Sequence, residues 1–136
     1  NSMLAYGRSK LANLLFGYEL DRKLKTQNSS TISLVVHPGT TTSNLMHYLT
    51  ENRFINLMKP FSDLYTQSAY MGSLPTVRAV VDPNVKGGEY FGPRGLLGHR
   101  GYPKQVRSSK LSHNQEVAQK LWDTSEVLTK VNFRFA

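Results

Sequence analysis

The 136-residue sequence predicts an α/β fold. Two observations point there. A long stretch with apolar residues three and four apart reads as a helix, and a short polar turn joins it to a β-branched run that reads as a buried strand. The helix covers Leu4 to about Lys25, with Leu11, Leu14, Leu15, Tyr18, Phe16, Leu20 and Leu24 at three- and four-residue spacings and Ala12, Phe16 and Leu20 widening the face beyond one stripe. A face that wide is covered on more than one side. Residues 26–30 are polar and make the turn; Asn28-Ser29-Ser30 has the form of a glycosylation acceptor and is read as part of it. The strand is Thr31 to His37, stopped by Pro38-Gly39. Its continuous Leu34-Val35-Val36 run suits a sheet covered on both faces.

Further along, Ser43 is placed to cap a short helix from Asn44 to about Leu49, and Phe54 to Phe61 predicts another, ended by Pro60. Leu64 to Val81 is helical in pattern, with a kink or break expected at Pro75 because proline removes a helix hydrogen bond. Residues 82–88 are a turn cluster, and Glu89-Tyr90-Phe91 is a short strand. The stretch from Arg94 to Lys110 holds Gly95, Gly98, Gly101 and Pro103 and reads as a loop. Ser112-His113-Asn114-Gln115 has the form of a capping box and opens a final helix. There Val117, Leu121, Ser125 and Leu128 share a face, with Trp122 beside it in the core. No repeat, low-complexity tract or second domain is visible in the sequence, so residues 1–136 are expected to belong to a single domain.

Hydrophobic residues make up 39% and charged residues 19%, which is globular rather than disordered. The absence of cysteine excludes disulfides and thiol chemistry. No apolar run is long enough to span a membrane, no signal peptide is visible, and a cytoplasmic location is expected. The formal net charge of +8 raises the question of an anionic partner. Arg94, Arg100, Lys104, Arg107 and Lys110 stand in one stretch without an acid. A solvated basic loop is the plain reading and an anion contact the alternative. Aromatic residues are too sparse there for a single-strand nucleic-acid surface, so no nucleic acid is expected.

The chemistry sits near the start, in Tyr6-Gly-Arg-Ser-Lys10. Residues four apart on a helix emerge on one face about a turn apart. A tyrosine is a poor acid or base at neutral pH, but a neighbouring ammonium favours its phenolate. A tyrosine so placed can hand a proton to an alkoxide or take one from an alcohol. The lysine, with three donors, can hold sugar hydroxyls. The pair alone is a weak signal. It gains weight because its helix leads into a buried strand ending in His37-Pro38-Gly39.

Together these residues resemble the short-chain dehydrogenase/reductase (SDR) family. Tyr6 to Lys10 matches its Tyr-x-x-x-Lys motif, and Pro38-Gly39 with Ser43 matches its Pro-Gly-x-x-x-Thr motif. The stretches AYGRSKLANLLFGYEL and VVHPGTTTSNL look like the retinol-dehydrogenase-like branch, and GSLPTVRAVVDPNVKGGEYFGP and LWDTSEVLTKV look like the tail of its bacterial members. The resemblance implies the C-terminal part of a Rossmann-like doubly wound parallel sheet. It also implies hydride transfer between an alcohol or carbonyl and NAD or NADP, with NADP slightly ahead. Tyr6 becomes the general acid/base, and Lys10 the residue that holds the nicotinamide ribose and eases ionisation of Tyr6. Pro38, Gly39, the Thr41 backbone and the Ser43 hydroxyl would meet the nicotinamide end. Residues 43–62 correspond to a substrate lid. Its Leu45, Met46, Leu49, Phe54, Ile55, Leu57 and Met58 suit a lipophilic substrate or simply pack the lid. The first helix is the family's usual homodimer surface. His37 is read as a structural histidine or a substrate contact, and no metal site is expected.

The family's glycine-rich phosphate loop is not in this sequence, nor is the serine expected about a dozen residues before the tyrosine. The sequence is therefore expected to be the C-terminal half of a longer enzyme, inactive without its own N-terminal half. A non-catalytic SDR fragment that binds a partner protein is the second reading, and an anion-binding module at Arg94 to Lys110 the third.

Overall fold

A computed structural model describes residues 2–41 and 66–134. Helix α1 spans Ser2–Thr26, strand β1 Val35–Val36, helix α2 Ala69–Val81, strand β2 Tyr90–Pro93, strand β3 Pro103–Gln105 and helix α3 Gln115–Thr129. Short 3-10 turns at Leu96–Gly98 and Lys110–His113 flank β3. Among the described residues the sheet has three strands in the order β1-β2-β3. The Val35 N–H bonds the Glu89 carbonyl and the His37 N–H bonds the Phe91 carbonyl, so the two chains step forward together, as parallel strands do. β2 and β3 are antiparallel, with Phe91 opposite Gln105.

The chain forms two compact units. The first comprises Asn1–Val35, Val85–Tyr90 and Arg107–Ala136. Its core joins Leu15, Tyr18 and Leu24 of α1 to Ala118 and Trp122 of α3, all buried. Phe16 stacks on Trp122 at 5.2 Å, Phe133 meets the same indole edge-on at 6.0 Å, and the Lys23 ammonium lies 5.1 Å from the indole centroid. Tyr18 stacks on His113 at 4.7 Å, and its hydroxyl donates to Ser108 Oγ. Burial and the nearby Tyr18 push the Tyr90 phenol above its ordinary value. Two acids are buried on α1. Glu19 pairs with Arg22 and Lys23. Asp21 pairs with Lys25 and accepts the Ser33 N–H. A side chain at Gly87 would run into the Asp21 carboxylate, so the turn after α2 needs a glycine there. α1 ends at Asn28 in the left-handed region, with Ser29 N–H bonded to the Leu24 carbonyl and Asn28 N–H to the Lys25 carbonyl.

The second unit comprises Val36–Asn84 and Phe91–Val106. α2 packs beside β3, and Arg78 ties them. Its guanidinium donates to the Pro103 carbonyl at 2.9 Å, pairs with Asp82 at 3.3 Å and lies over Phe91 at 5.4 Å.

Several sequence expectations change. The strand expected over Thr31 to His37 shortens to Val35–Val36, because Ser33 is engaged with α1, its hydroxyl donating to the Gly17 carbonyl and its N–H to Asp21. The helix expected from Leu64 begins at Ala69, where Ser68 caps it by accepting the Met71 N–H. It runs unbroken through Pro75, whose fully buried ring offsets the missing hydrogen bond. Residues 94–110, read as a loop, contain β3: Arg94 N–H bonds the Tyr102 carbonyl, and the Arg94 guanidinium covers the Tyr102 ring. The final helix is capped by Asn114, which accepts the Val117 N–H, rather than by Ser112, which is fully buried in the preceding turn. Its buried face is Ala118 and Trp122, whereas Val117 and Leu128 are exposed. The helices expected over 44–49 and 54–61 lie outside the described residues.

Candidate functional site

Tyr6 and Lys10 stand in the exposed first turns of α1. The helix places them one turn apart, and the Lys10 ammonium lies 5.3 Å from the Tyr6 ring centroid, within cation–π reach. Tyr6 is 56% exposed, so its hydroxyl is open to a small molecule. Between them Ser9 donates its hydroxyl to the Tyr6 carbonyl at 2.7 Å, a local bond that involves neither the Tyr6 nor the Lys10 side chain. Ammonium and phenol together make a donor set suited to a diol beside an oxygen that gains or loses a proton.

The second unit carries Pro38, Gly39 and Thr41. Gly39 has φ of 70°, and any side chain there would strike the His99 carbonyl and Pro93, so the loop accepts only glycine. Gln67 and His99 grip this loop. Gln67 Nε2 donates to the Pro38 carbonyl at 2.7 Å, and the Gln67 backbone N–H donates to the Thr40 carbonyl at 2.8 Å. Thr41 forms a parallel bridge with Gln67. The Thr40 N–H donates to the His99 carbonyl at 2.8 Å, and the Thr40 hydroxyl meets His99 Nδ1 at 2.9 Å. At Gly72 of α2, the absence of a side chain lets the helix approach the Thr41 methyl. Ser43 and the lid over 43–62 lie outside the described residues.

His37 serves the loop. Its Nδ1 accepts the Gly39 N–H at 3.3 Å, and its ring lies so close to Gly92 that no side chain would fit there. Burial, and then the neighbouring His99, hold the His37 imidazole below its ordinary value. Both facts favour the neutral ring, and the geometry is that of a structural histidine.

Comparisons with known proteins bear on what these two clusters serve. Human retinol dehydrogenase 14 is 33% identical over 134 residues, covering 94% of this chain and 36% of that protein. The chloroplastic short-chain dehydrogenase TIC 32 B of Brassica napus is 31% identical over 123 residues, covering 89% of this chain and 35% of that protein. The chain matches the C-terminal part of short-chain dehydrogenases/reductases. It spans a little over a third of the length of these SDR relatives. Human polyprenol dehydrogenase is a further match, at 30% identity. Among solved structures, an uncharacterized Mycobacterium paratuberculosis protein is 31% identical, with a TM-score of 0.68, covering 97% of this chain and 41% of that one. No family model matches. The helices and the small mixed sheet are accordingly part of a Rossmann-like α/β fold, as the SDR resemblance implies.

The loop's own fasteners were not read from the sequence. Gln67 and His99 lie 29 and 59 residues from the groups they bind, and neither stands in a recognisable spacing. The described residues contain no helix long and apolar enough to cross a membrane.

Proposed function

We propose that the protein containing this chain is an NAD- or NADP-dependent oxidoreductase that interconverts an alcohol and a carbonyl, acting on a lipophilic substrate. The observation that carries this is the Tyr6–Lys10 pair on an exposed helix start, in a chain similar to retinol and polyprenol dehydrogenases. The nicotinamide supplies or accepts the hydride when bound. Tyr6 then gives its hydroxyl proton to the substrate alkoxide in reduction, or takes the alcohol proton in oxidation. Lys10 stabilises the charge left on the Tyr6 oxygen and holds ribose hydroxyls. Pro38, Gly39 and Thr41 present backbone to the nicotinamide end, with Ser43 adding a hydroxyl. Residues 1–136 carry no glycine-rich phosphate loop and match only about a third of the length of the relatives, so on this reading the rest of the protein supplies that loop. A cytoplasmic location and a homodimer through α1 belong to the same reading.

The test is turnover by the whole polypeptide. NADH and NADPH are each supplied with a panel of long-chain and short-chain aldehydes, and absorbance at the nicotinamide band is followed. Oxidation of either cofactor, faster with the long-chain aldehydes, is the expected result. Failure of both cofactors across the panel, and of NAD and NADP with the matching alcohols, contradicts it.

A further inference from the structure

We infer that Gln67 is a positioning residue for the cofactor loop, an inference that rests on the nicotinamide reading above. Three connections single it out. Its side-chain amide bridges two separate segments, with Nε2 donating to the Pro38 carbonyl at 2.7 Å and Oε1 accepting the Gly101 N–H at 2.8 Å. Its backbone N–H holds the Thr40 carbonyl at 2.8 Å. It also stands next to Ser68, the cap of α2. One residue therefore ties the loop at 38–41 to the turn at 101 and to the start of a helix.

The bridge needs a donor at one end and an acceptor at the other, and a side-chain amide carries both at any pH. Pro38 offers a carbonyl and needs a donor, while Gly101 offers an N–H and needs an acceptor. Gln67 is 7% exposed, so an unmatched group there finds little water to replace its partner. A carboxylate would keep the Gly101 bond and oppose the Pro38 carbonyl. Only when protonated could it donate to Pro38 again. The loop it grips is set in a left-handed glycine between Pro38 and Thr40, so a freed Pro38 carbonyl would let the backbone facing the nicotinamide turn away.

The experiment compares wild-type whole protein with Gln67→Glu at pH 8 and at pH 5. It measures the Kd for NADH and NADPH by fluorescence, and hydrogen exchange at individual amides. Because His37 and His99 also face this loop, variant and wild type are compared at each pH. At pH 8 the variant is expected to bind cofactor about tenfold more weakly, with faster exchange at Thr40 and unchanged exchange at Gly101. At pH 5, where burial and the facing Pro38 carbonyl favour the protonated acid, the difference from wild type is expected to shrink to about twofold or less. Gln67→Met, which keeps the volume without the amide, should bind about tenfold more weakly at both pH values, and it stands in if the glutamate variant does not fold at pH 8. Equal cofactor affinity of variant and wild type, or exchange that rises uniformly across the unit, overturns the inference. If the wild type binds neither cofactor, the nicotinamide reading fails first and the role of Gln67 toward it falls with it, whereas the exchange data still report its hold on Pro38.

Discussion

His37 shows how one residue can link the sheet to the loop. Its Nδ1 accepts the Gly39 N–H, so the ring must be neutral to do its work. Burial first, and then His99, lower its folded value below 6.5. The unfolded chain therefore binds more protons than the folded one as the pH drops, and stability rises with pH in that window. The contribution is complete above about pH 6.5 and is lost as the pH falls through the lowered folded value. Thermal melting at pH 8, 6 and 5 is expected to show this loss in wild type and a smaller one in His37→Asn. At Gly39 the constraint is steric. Gly39→Ala places a methyl against the His99 carbonyl at a left-handed φ, and should cost about 1–3 kcal/mol, read as a lowered denaturation midpoint. The candidate residues Tyr6, Lys10, Pro38 and Gly39 stand out in the sequence because a local pattern carries them: two lie four apart on a helix and two follow a strand. Gln67 does not, because a polar side chain that bonds distant backbone leaves no periodic trace.

At the scale of elements, the long helix α1, the final helix and the short strand β2 were legible from spacing and turn signals, whereas the extent of β1 and the presence of β3 were not. α1 appears within two residues of where its pattern places it. β1 contracts because Ser33 bonds α1, and β3 hides in a glycine-rich stretch whose pairing comes from β2. Residue type alone does not reveal either, since β structure depends on the neighbour across the ladder. The buried face of α3 turned out to be Ala118 and Trp122, one residue round from the predicted stripe. Trp122 is the centre of that packing, with Phe16, Lys23 and Phe133 around it. Trp122→Ala should destabilise the first unit by about 3–5 kcal/mol, while Val127→Ala, at a site 75% exposed, should change little. Paired thermal melts of the two variants check the contrast.

For the whole molecule, the relatives place the similarity in one part of a longer protein, with the Tyr6–Lys10 pair in one compact unit and the Pro38–Thr41 loop in the other. Under the proposed function, Tyr6 supplies the proton in a nicotinamide-dependent reaction. The most direct measurement is turnover of the whole polypeptide carrying Tyr6→Phe, with circular dichroism to confirm the fold, which an exposed side chain should leave intact. The expected result is a kcat lower by about 10²–10⁴ with an unchanged melting temperature. Full activity in Tyr6→Phe would contradict it, because no proton could then come from that hydroxyl.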